Sequence, residues 1–335
     1  MIDAENVHIT YEDGTEAVRG VDLDVGEGEF FGFLGPNGAG KTTTIKTLVT
    51  LLQPNQGSVT INGYDAEDDP QAVCESIGYM AQATSVDEEL TARENVRFAC
   101  KVYGVPASEQ NDRTEELLEL VGLADVADKR AANYSGGMKK RLDAATALVH
   151  RPPLVFLDEP TTGLDPEARL RLWDYFESIN ERGTTVFLTT QYLEEVDRLC
   201  DRLAVIQDGE LIATDSPERL KSAVGGDVLE LTLDDSSKGE TERALSVVSE
   251  SDALEGATIE TTDNGLTITS ERTREAVSEL FVALHEAGVG VTGFDVRSPT
   301  LDDVFLTLTG ERADPSDGDE TNVGTTTAPD QEMTG

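Results

Sequence analysis

Gly35-Pro36-Asn37-Gly38-Ala39-Gly40-Lys41-Thr42 stands between Glu29 to Leu34, which reads as a strand, and Thr42 to Leu52, which reads as a helix ending before Gln53-Pro54. The spacing is G-x-x-x-x-G-K-[ST], a loop whose backbone N–H groups wrap phosphates where side-chain bulk would block the approach. Lys41 can reach the β- and γ-phosphates and Thr42 can offer a hydroxyl to Mg²⁺. Gly35, Pro36, Asn37, Gly38, Ala39, Gly40, Lys41, Thr42 and Thr43 therefore form the expected cradle for ATP. A glycine-rich turn can arise by chance, but the strand before it and the helix after it supply the context this motif requires.

Outward from the loop, the chain alternates. Val7 to Tyr11 and Gly57 to Ile61 read as strands, a short helix lies near Pro70 to Glu75, and a strand ends at Met80-Ala81-Gln82. From there to His150 the pattern is mostly helical, with Thr114 to Val121 the clearest piece, so a helical insert is expected. Arg151-Pro152-Pro153 breaks it, and Leu154-Val155-Phe156-Leu157 is an unbroken apolar run, as a strand buried on both faces should be. A helix from Pro166 to about Glu181, a strand Thr185 to Leu188 and a helix Leu193 to Leu199 continue the order of a parallel sheet with crossover helices. Asp208-Gly209 signals a hairpin, and Ser216-Pro217 an N-cap followed by proline at the first helical position.

After Gly225-Gly226 the order becomes strand (Asp227 to Leu233), helix (Thr241 to Val248), strand (Thr258 to Thr262), strand (Leu266 to Ser270), helix (Thr273 to Ala287) and strand (Val291 to Val296). This βαββαβ order, with Asn264-Gly265 as the inner turn, is the ferredoxin-like pattern. A short helix, Leu301 to Leu308, precedes a Gly/Thr/Asp-rich stretch expected to be disordered.

Composition limits what the chain can do. It has 335 residues, enough for a large domain and a smaller one, and carries 66 Asp plus Glu against 26 Lys plus Arg, a formal net charge of -40. Such a surface repels nucleic acid, so none is expected as a partner. Residues 311 to 335 hold seven acids and one arginine, only -6 of that total, so the folded body carries the charge. A salt-rich cytoplasm, where screening acts within roughly 3 Å at molar ionic strength, suits this balance; an acidic mesophilic protein is the alternative. The three cysteines, Cys74, Cys100 and Cys200, form no CxxC pair and read as core thiols. The N-terminal residues lack the regions of a signal peptide, and no apolar run approaches the ~20 residues that span a bilayer. A cytoplasmic protein is expected, and any membrane role requires a separate spanning partner.

Other residues carry chemistry. Asp158 ends the buried strand, where it can hold a metal beside the phosphates, and Glu159 follows, placed to polarise an attacking water. Ser135-Gly136-Gly137 opens the helix-like stretch Met138 to Val149 and leaves a helix N-terminus open to an anion; an ordinary N-cap is the plainer reading of that segment alone.

The order of these pieces resembles the nucleotide-binding subunit of an ABC transporter over residues 1 to about 220. The resemblance implies a P-loop α/β cassette with a mixed sheet core (1–222, helical subdomain about 83–150), joined here to a ferredoxin-like α+β domain (223–310) and an acidic tail (311–335). It identifies Tyr134-Ser135-Gly136-Gly137-Met138 as the signature segment, which in the family binds the γ-phosphate of ATP held by the other subunit. A head-to-tail homodimer with two ATP molecules is implied. Tyr11 corresponds to the aromatic that stacks on adenine, Gln82 to the metal-sensing glutamine, and Asp165 to the loop across the dimer seam. Their plain alternatives are a strand aromatic, a surface amide and an N-cap before Pro166.

Two departures stand out. Tyr134 and Met138 replace the usual leucine and glutamine of the signature, and Gln191 occupies the position where most members have histidine. A glutamine amide still donates to a γ-phosphate but cannot become cationic near neutral pH. The run Thr189-Thr190-Gln191-Tyr192-Leu193-Glu194-Glu195, with Ser298-Pro299-Thr300-Leu301-Asp302-Asp303-Val304-Phe305, resembles the daunorubicin-resistance branch of exporters. By that resemblance the chain is an ATPase, with Glu159, Lys41 and Gln191 as catalytic residues and Thr42, Gln82 and Asp158 around Mg²⁺. It would be peripheral on the inner face of the cell membrane, powering efflux of a drug or lipophilic compound through a multi-span permease. A non-transport ABC ATPase and a low-turnover regulatory subunit are the competing functions. The short interval from Gln82 to Ser135 leaves no room for the long coiled coil of the first, and Lys41, Asp158 and Glu159 argue against the second.

Overall fold

A computed structural model describes residues 1–309 apart from 235–237, 252–253, 255 and 271. The expected disordered tail, 311–335, lies outside the described residues.

The chain opens with the antiparallel pair β1 (Ile2–Thr10) and β2 (Glu16–Val25), followed by β3 (Phe30–Leu34), the glycine-rich loop and α1 (Lys41–Leu48). Strands β4 (Gln56–Ile61) and β5 (Tyr64–Asp65) complete a four-stranded sheet of order β2-β1-β4-β5. Then come α2 (Pro70–Ser76), β6 (Ile77–Met80) and three helices, α3 (Ala92–Val102), α4 (Gln110–Leu120) and α5 (Gly136–Ala147). The chain continues through β7 (Leu154–Asp158), α6 (Pro166–Asn180), β8 (Thr185–Thr190), α7 (Leu193–Leu199) and the hairpin β9 (Arg202–Gln207) and β10 (Glu210–Asp215) to α8 (Pro217–Ala223). The second sheet has the order β10-β9-β3-β8-β7-β6, parallel except at β10.

This parallel sheet is buried on both faces. Phe31, Phe33, Phe156 and Phe187 face α1 and the antiparallel sheet, while Phe30, Leu34, Val155 and Leu157 face the helices. The loop Gly35 to Gly40 follows β3, which lies between β8 and β9, so it emerges at the middle of the carboxyl edge of the sheet, where open α/β sheets bind ligands.

The sequence pattern gives no strand between Tyr11 and Glu29, yet β2 fills that interval. Its buried residues run Val18, Val21, Leu23, Val25, and the register against β1 shifts between Val7 and His8, opposite Val21 and Arg19. The bulge at Gly20, with φ +72°, breaks the two-residue period by which a strand is recognised. The helix after the loop also stops earlier than expected, at Leu48, and Thr50 takes a left-handed φ of 65°.

Beyond α8, strands β11 (Asp227–Leu233), β12 (Thr258–Thr262), β13 (Gly265–Ser270) and β14 (Val291–Arg297) and helices α9 (Lys238–Ser249) and α10 (Thr273–Glu286) form a separate layer pair. The sheet order β12-β13-β11-β14, antiparallel throughout, is the expected ferredoxin-like topology. Its core is Leu229, Leu231, Leu266, Ile268, Leu280 and Leu284, with their neighbours. The last helix, α11 (Leu301–Thr309), does not join that core. Leu301, Val304 and Phe305 pack with Leu193, Leu199 and Leu220 in the core of the first domain, so the chain leaves the cassette at α8 and returns to it at α11.

Candidate functional site

The cradle is built by close backbone approach. A Cβ on Gly35 would meet the Ile206 carbonyl at 2.3 Å, and one on Gly40, at φ +110°, would meet the Ala17 carbonyl at 2.5 Å. Only glycine fits at either place, and the loop therefore packs directly on β9 and β2. Lys41 begins α1 and is buried; its ammonium donates to the carbonyls of Gly35 (2.7 Å) and Pro36 (3.1 Å) and lies 3.6 Å from Glu159 Oε1. Burial pulls the Lys41 ammonium below its ordinary value, while Glu159 and Asp158 oppose that pull.

Glu159 closes the other side. It takes φ +48°, a conformation that costs a non-glycine residue about 1–3 kcal/mol, and its N–H donates to the Thr189 carbonyl at 3.0 Å. Gln82 Nε2 donates to Glu159 Oε2 at 2.9 Å, so the amide belongs to the site and is not a surface group. Asp158 is buried, and its Oδ1 accepts from Thr189 Oγ1 at 2.6 Å. Burial raises the Asp158 carboxyl and Glu159 adds to the rise; Thr189, Lys46 and Lys41 counter it. The hydroxyls of Tyr11 and Thr43 are 2.9 Å apart, which seats the half-exposed tyrosine at the rim.

These groups enclose a cleft of about 390 Å³ whose lining includes Tyr11, Asn37, Lys41, Thr42, Gln82 and Glu159. Gly38, Gly40 and Thr43 line it too, while Gly35, Pro36, Ala39 and Asp158 are not among its lining residues. Gln191 is not among the lining residues. It follows β8, whose Thr190 pairs with Leu34, so it sits at the same edge of the sheet, but among the described residues its side chain makes no hydrogen bond.

A second group lies apart. Ser135 caps α5, its Oγ accepting from Met138 N, and Asp165 caps α6 by accepting from Ala168 N at 2.8 Å. A Cβ on Gly137 would meet Ala168 Cβ at 2.9 Å, which puts the signature segment directly against the first turn of α6. Ser135, Gly136, Gly137 and Asp165 do not line the cleft around Lys41. Tyr134, the unusual residue before them, is buried and donates its hydroxyl to the Val126 carbonyl at 2.7 Å, so the segment is held despite the larger side chain.

Sequence reasoning missed the link between the two groups. Lys140 Nζ on α5 donates to the Gln82 carbonyl at 2.6 Å, and Asp143 Oδ1 on the same helix accepts from Ser85 Oγ at 2.5 Å and Ser85 N at 3.2 Å. The one available signal was Asp143 itself, an acid set among Leu142, Ala144 and Ala145 in the second half of α5. Ala17, Asp208 and Gly209 are also part of the cleft; in the sequence Ala17 carries no motif, and Asp208-Gly209 signals only a hairpin turn.

Comparison with known proteins now bears on this geometry. Residues 18–162 match the family model described as ABC transporter, and residues 216–309 match that of the ATP-binding protein DrrA1-3-like C-terminal domain. The chain is 43% identical over 304 residues to the daunorubicin/doxorubicin resistance ATP-binding protein DrrA of Streptomyces peucetius, covering 90% of each. The chain belongs to the ABC transporter ATP-binding proteins, in the DrrA branch. It is also 35% identical to the linearmycin resistance ATP-binding protein LnrL of Bacillus subtilis, covering 92% of this chain and 98% of that one. Among solved structures, a dimeric ATP-binding cassette in a post-hydrolysis state with ADP and Pi superposes with a TM-score of 0.60 at 28% identity, over 64% of this chain and 98% of that one. An ATP-binding subunit of an ABC transporter superposes with a TM-score of 0.61 at 30% identity, over 67% and 92%. The cassette is thus an ATP-binding ATPase of this family.

Proposed function

We propose that the chain is the energy-supplying subunit of an exporter. Two copies close head to tail on two ATP molecules, and that motion drives a separate multi-span permease that expels a drug or other lipophilic compound. The observation that carries the reading is Lys41 facing Glu159 at 3.6 Å with Gln82 holding the same carboxylate, an arrangement for attack of water on a γ-phosphate. Relatives named for resistance to daunorubicin, doxorubicin and linearmycin align along at least nine-tenths of the chain, which favours export over a non-transport or regulatory role. Among the described residues no helix is long and apolar enough to cross a membrane, and α3 leaves Phe98 and Val102 exposed one turn apart. Both features suit a subunit that sits against a permease on the inner face of the membrane.

In this reading Glu159 takes the proton of the attacking water, Gln82 fixes its carboxylate, and Lys41 neutralises charge on the transferred phosphate. Tyr11 stacks on adenine, and Gln191 donates its amide to the γ-phosphate. The second chain contributes Ser135, Gly136 and Gly137 at the start of α5, with Asp165 at the seam. Thr42, Gln82 and Asp158 would hold Mg²⁺, whose charge neutralises phosphate oxygens. The donors fit it. They are hard oxygens with one carboxylate, and among the described residues no cluster of three or more His, Cys, Asp or Glu forms an all-protein cage. Because Gln82 spends its Nε2 on Glu159, its amide oxygen is the acceptor left for the metal side.

Steady-state ATP hydrolysis in high salt tests the assignment: Glu159→Gln should lower turnover at least a hundredfold (about 2.7 kcal/mol) while ATP binding persists. Equal turnover in the two proteins would remove Glu159 from the catalytic role. Capture of ribosomes or repair proteins by tagged chain, with no multi-span membrane protein, would overturn export. The net charge of -40 further supports a salt-rich cell interior. The thermal midpoint should rise steadily as KCl increases toward molar concentration, and full stability in dilute buffer would refute the halophilic reading.

A further inference from the structure

At the opposite edge of the parallel sheet from the phosphate loop lies a second cleft of about 410 Å³. Pro152 and Pro153, which lead into β7, and Gly183 and Thr184, which lead into β8, form its floor, and α4 forms one wall. Leu117, Leu120, Leu148 and Ile179 give it an apolar lining. Three guanidiniums, Arg113, Arg151 and Arg182, enter it together with a single carboxylate, Glu116. In a chain with 26 cationic and 66 acidic side chains, this local excess of positive charge is out of pattern.

The arginines are held differently. Arg113 is 8% exposed, donates to the carbonyls of Val149 (3.1 Å) and Leu148 (2.5 Å), and pairs with Glu116 at 2.9 Å. Arg151 pairs with the same Glu116 oxygen at 3.2 Å and sits at φ +53°, a left-handed conformation that favours glycine. Arg182 has no carboxylate within ion-pair distance among the described residues. Glu109 also reaches Arg151, at 4.0 Å, so Arg113 and Arg151 are matched by two carboxylates and only Arg182 is left without one among the described residues. Beside them Tyr175, 4% exposed, has a hydroxyl with no hydrogen-bond partner among the described residues. Burial pushes this phenol far up, while Arg113 and Arg182 pull it back and Glu116 adds to the rise; Tyr175 lies outside the residues that line the cleft. A buried hydroxyl without a partner is uncommon enough in folded proteins to call for an explanation.

We infer that this cleft binds a small amphiphilic anion, a carboxylate or phosphate carried on a short apolar chain. Guanidiniums present planar donor forks that match oxyanions, and an apolar floor strengthens each such contact by excluding water. The volume falls in the range of small-molecule sites. The surrounding acidic surface repels bare anions at long range, and high salt erases long-range attraction, so selection rests on the apolar chain together with the headgroup. Each methylene buried should strengthen binding by up to about fourfold. The ligand would reach the cassette from the side away from ATP.

Calorimetric titration of the full chain at fixed salt, with octanoate, octyl phosphate, octanol and inorganic phosphate as separate probes, tests this. Octanoate or octyl phosphate should saturate at one per chain, and the tighter of the two identifies the headgroup. Octanol and inorganic phosphate should each bind at least tenfold more weakly. Arg182→Ala, on an exposed turn, should weaken the amphiphile at least tenfold with thermal midpoint and ATP turnover unchanged. Arg151→Gly should do the same while relieving the left-handed backbone, and Tyr175→Phe should keep or raise the midpoint. Undiminished binding in Arg182→Ala and Arg151→Gly, inorganic phosphate binding as tightly as octanoate, or no saturable binding of either amphiphile would overturn the inference.

Discussion

The group around Lys41 and the group around Ser135 are built on different principles. Around Lys41, contacts join distant parts of the chain: Gln82 to Glu159, Asp158 to Thr189, Gly209 N to the Ala39 carbonyl. Around Ser135 and Asp165 each side chain satisfies only its own helix, three residues on. The first group is finished within one chain. The second presents a helix start whose polar groups are spent on capping and whose glycines leave the backbone bare, the form of a surface that completes a site on another molecule. On the proposed function, the contrast explains how one sequence can carry two sets of phosphate-binding residues that never meet in one chain.

The largest effect that would test this contrast is Lys41→Ala. ATP affinity and turnover should both fall at least a hundredfold, measured by nucleotide titration and steady-state hydrolysis. Ser135→Ala should behave otherwise, leaving ATP binding to the isolated chain intact, reducing turnover at least tenfold, and costing about 1 kcal/mol of stability from the lost cap. If it weakened binding as much as Lys41→Ala, the division into two half-sites would fail. The smallest effect concerns the link between them. Burial raises the Asp143 carboxyl above its ordinary value near 3.8, so the stability this group contributes is fully present below that pH and is lost as pH rises through its raised folded value. The thermal midpoint of the native chain minus that of Asp143→Asn should therefore fall as pH rises from 4 toward neutrality. A flat difference would show that Asp143 is not held as described.

Much of this was legible in the residues. The phosphate loop could be read because glycine at Gly35 and Gly40 answers a steric demand that leaves a mark in sequence. The buried strand Leu154–Asp158 could be read because burial on both faces requires an unbroken apolar run, and the C-terminal strand and helix order because each element keeps its own period. Strand β2 could not be read as a whole, since the bulge at Gly20 breaks the alternation and leaves only the short run Val21 to Val25 in period. Family resemblance marked Gln82 only as the metal-sensing glutamine; its seating on Glu159 and the Ser85 to Asp143 contact left no local trace, because those partners lie 77 and 58 residues apart. The return of α11 was hidden for a similar reason: an apolar helical face does not say which of two cores it enters.

That return also bears on how the protein is made. Leu301, Val304 and Phe305 belong to the core that Leu220 begins to close, yet 81 positions separate Leu220 from Leu301. At a synthesis rate of roughly 5–20 residues per second, the cassette waits about 4–16 s on the ribosome with that patch uncovered. Through that interval the ferredoxin-like segment is the only part of the nascent chain able to gather between them, and it is born already bracketed by its neighbour.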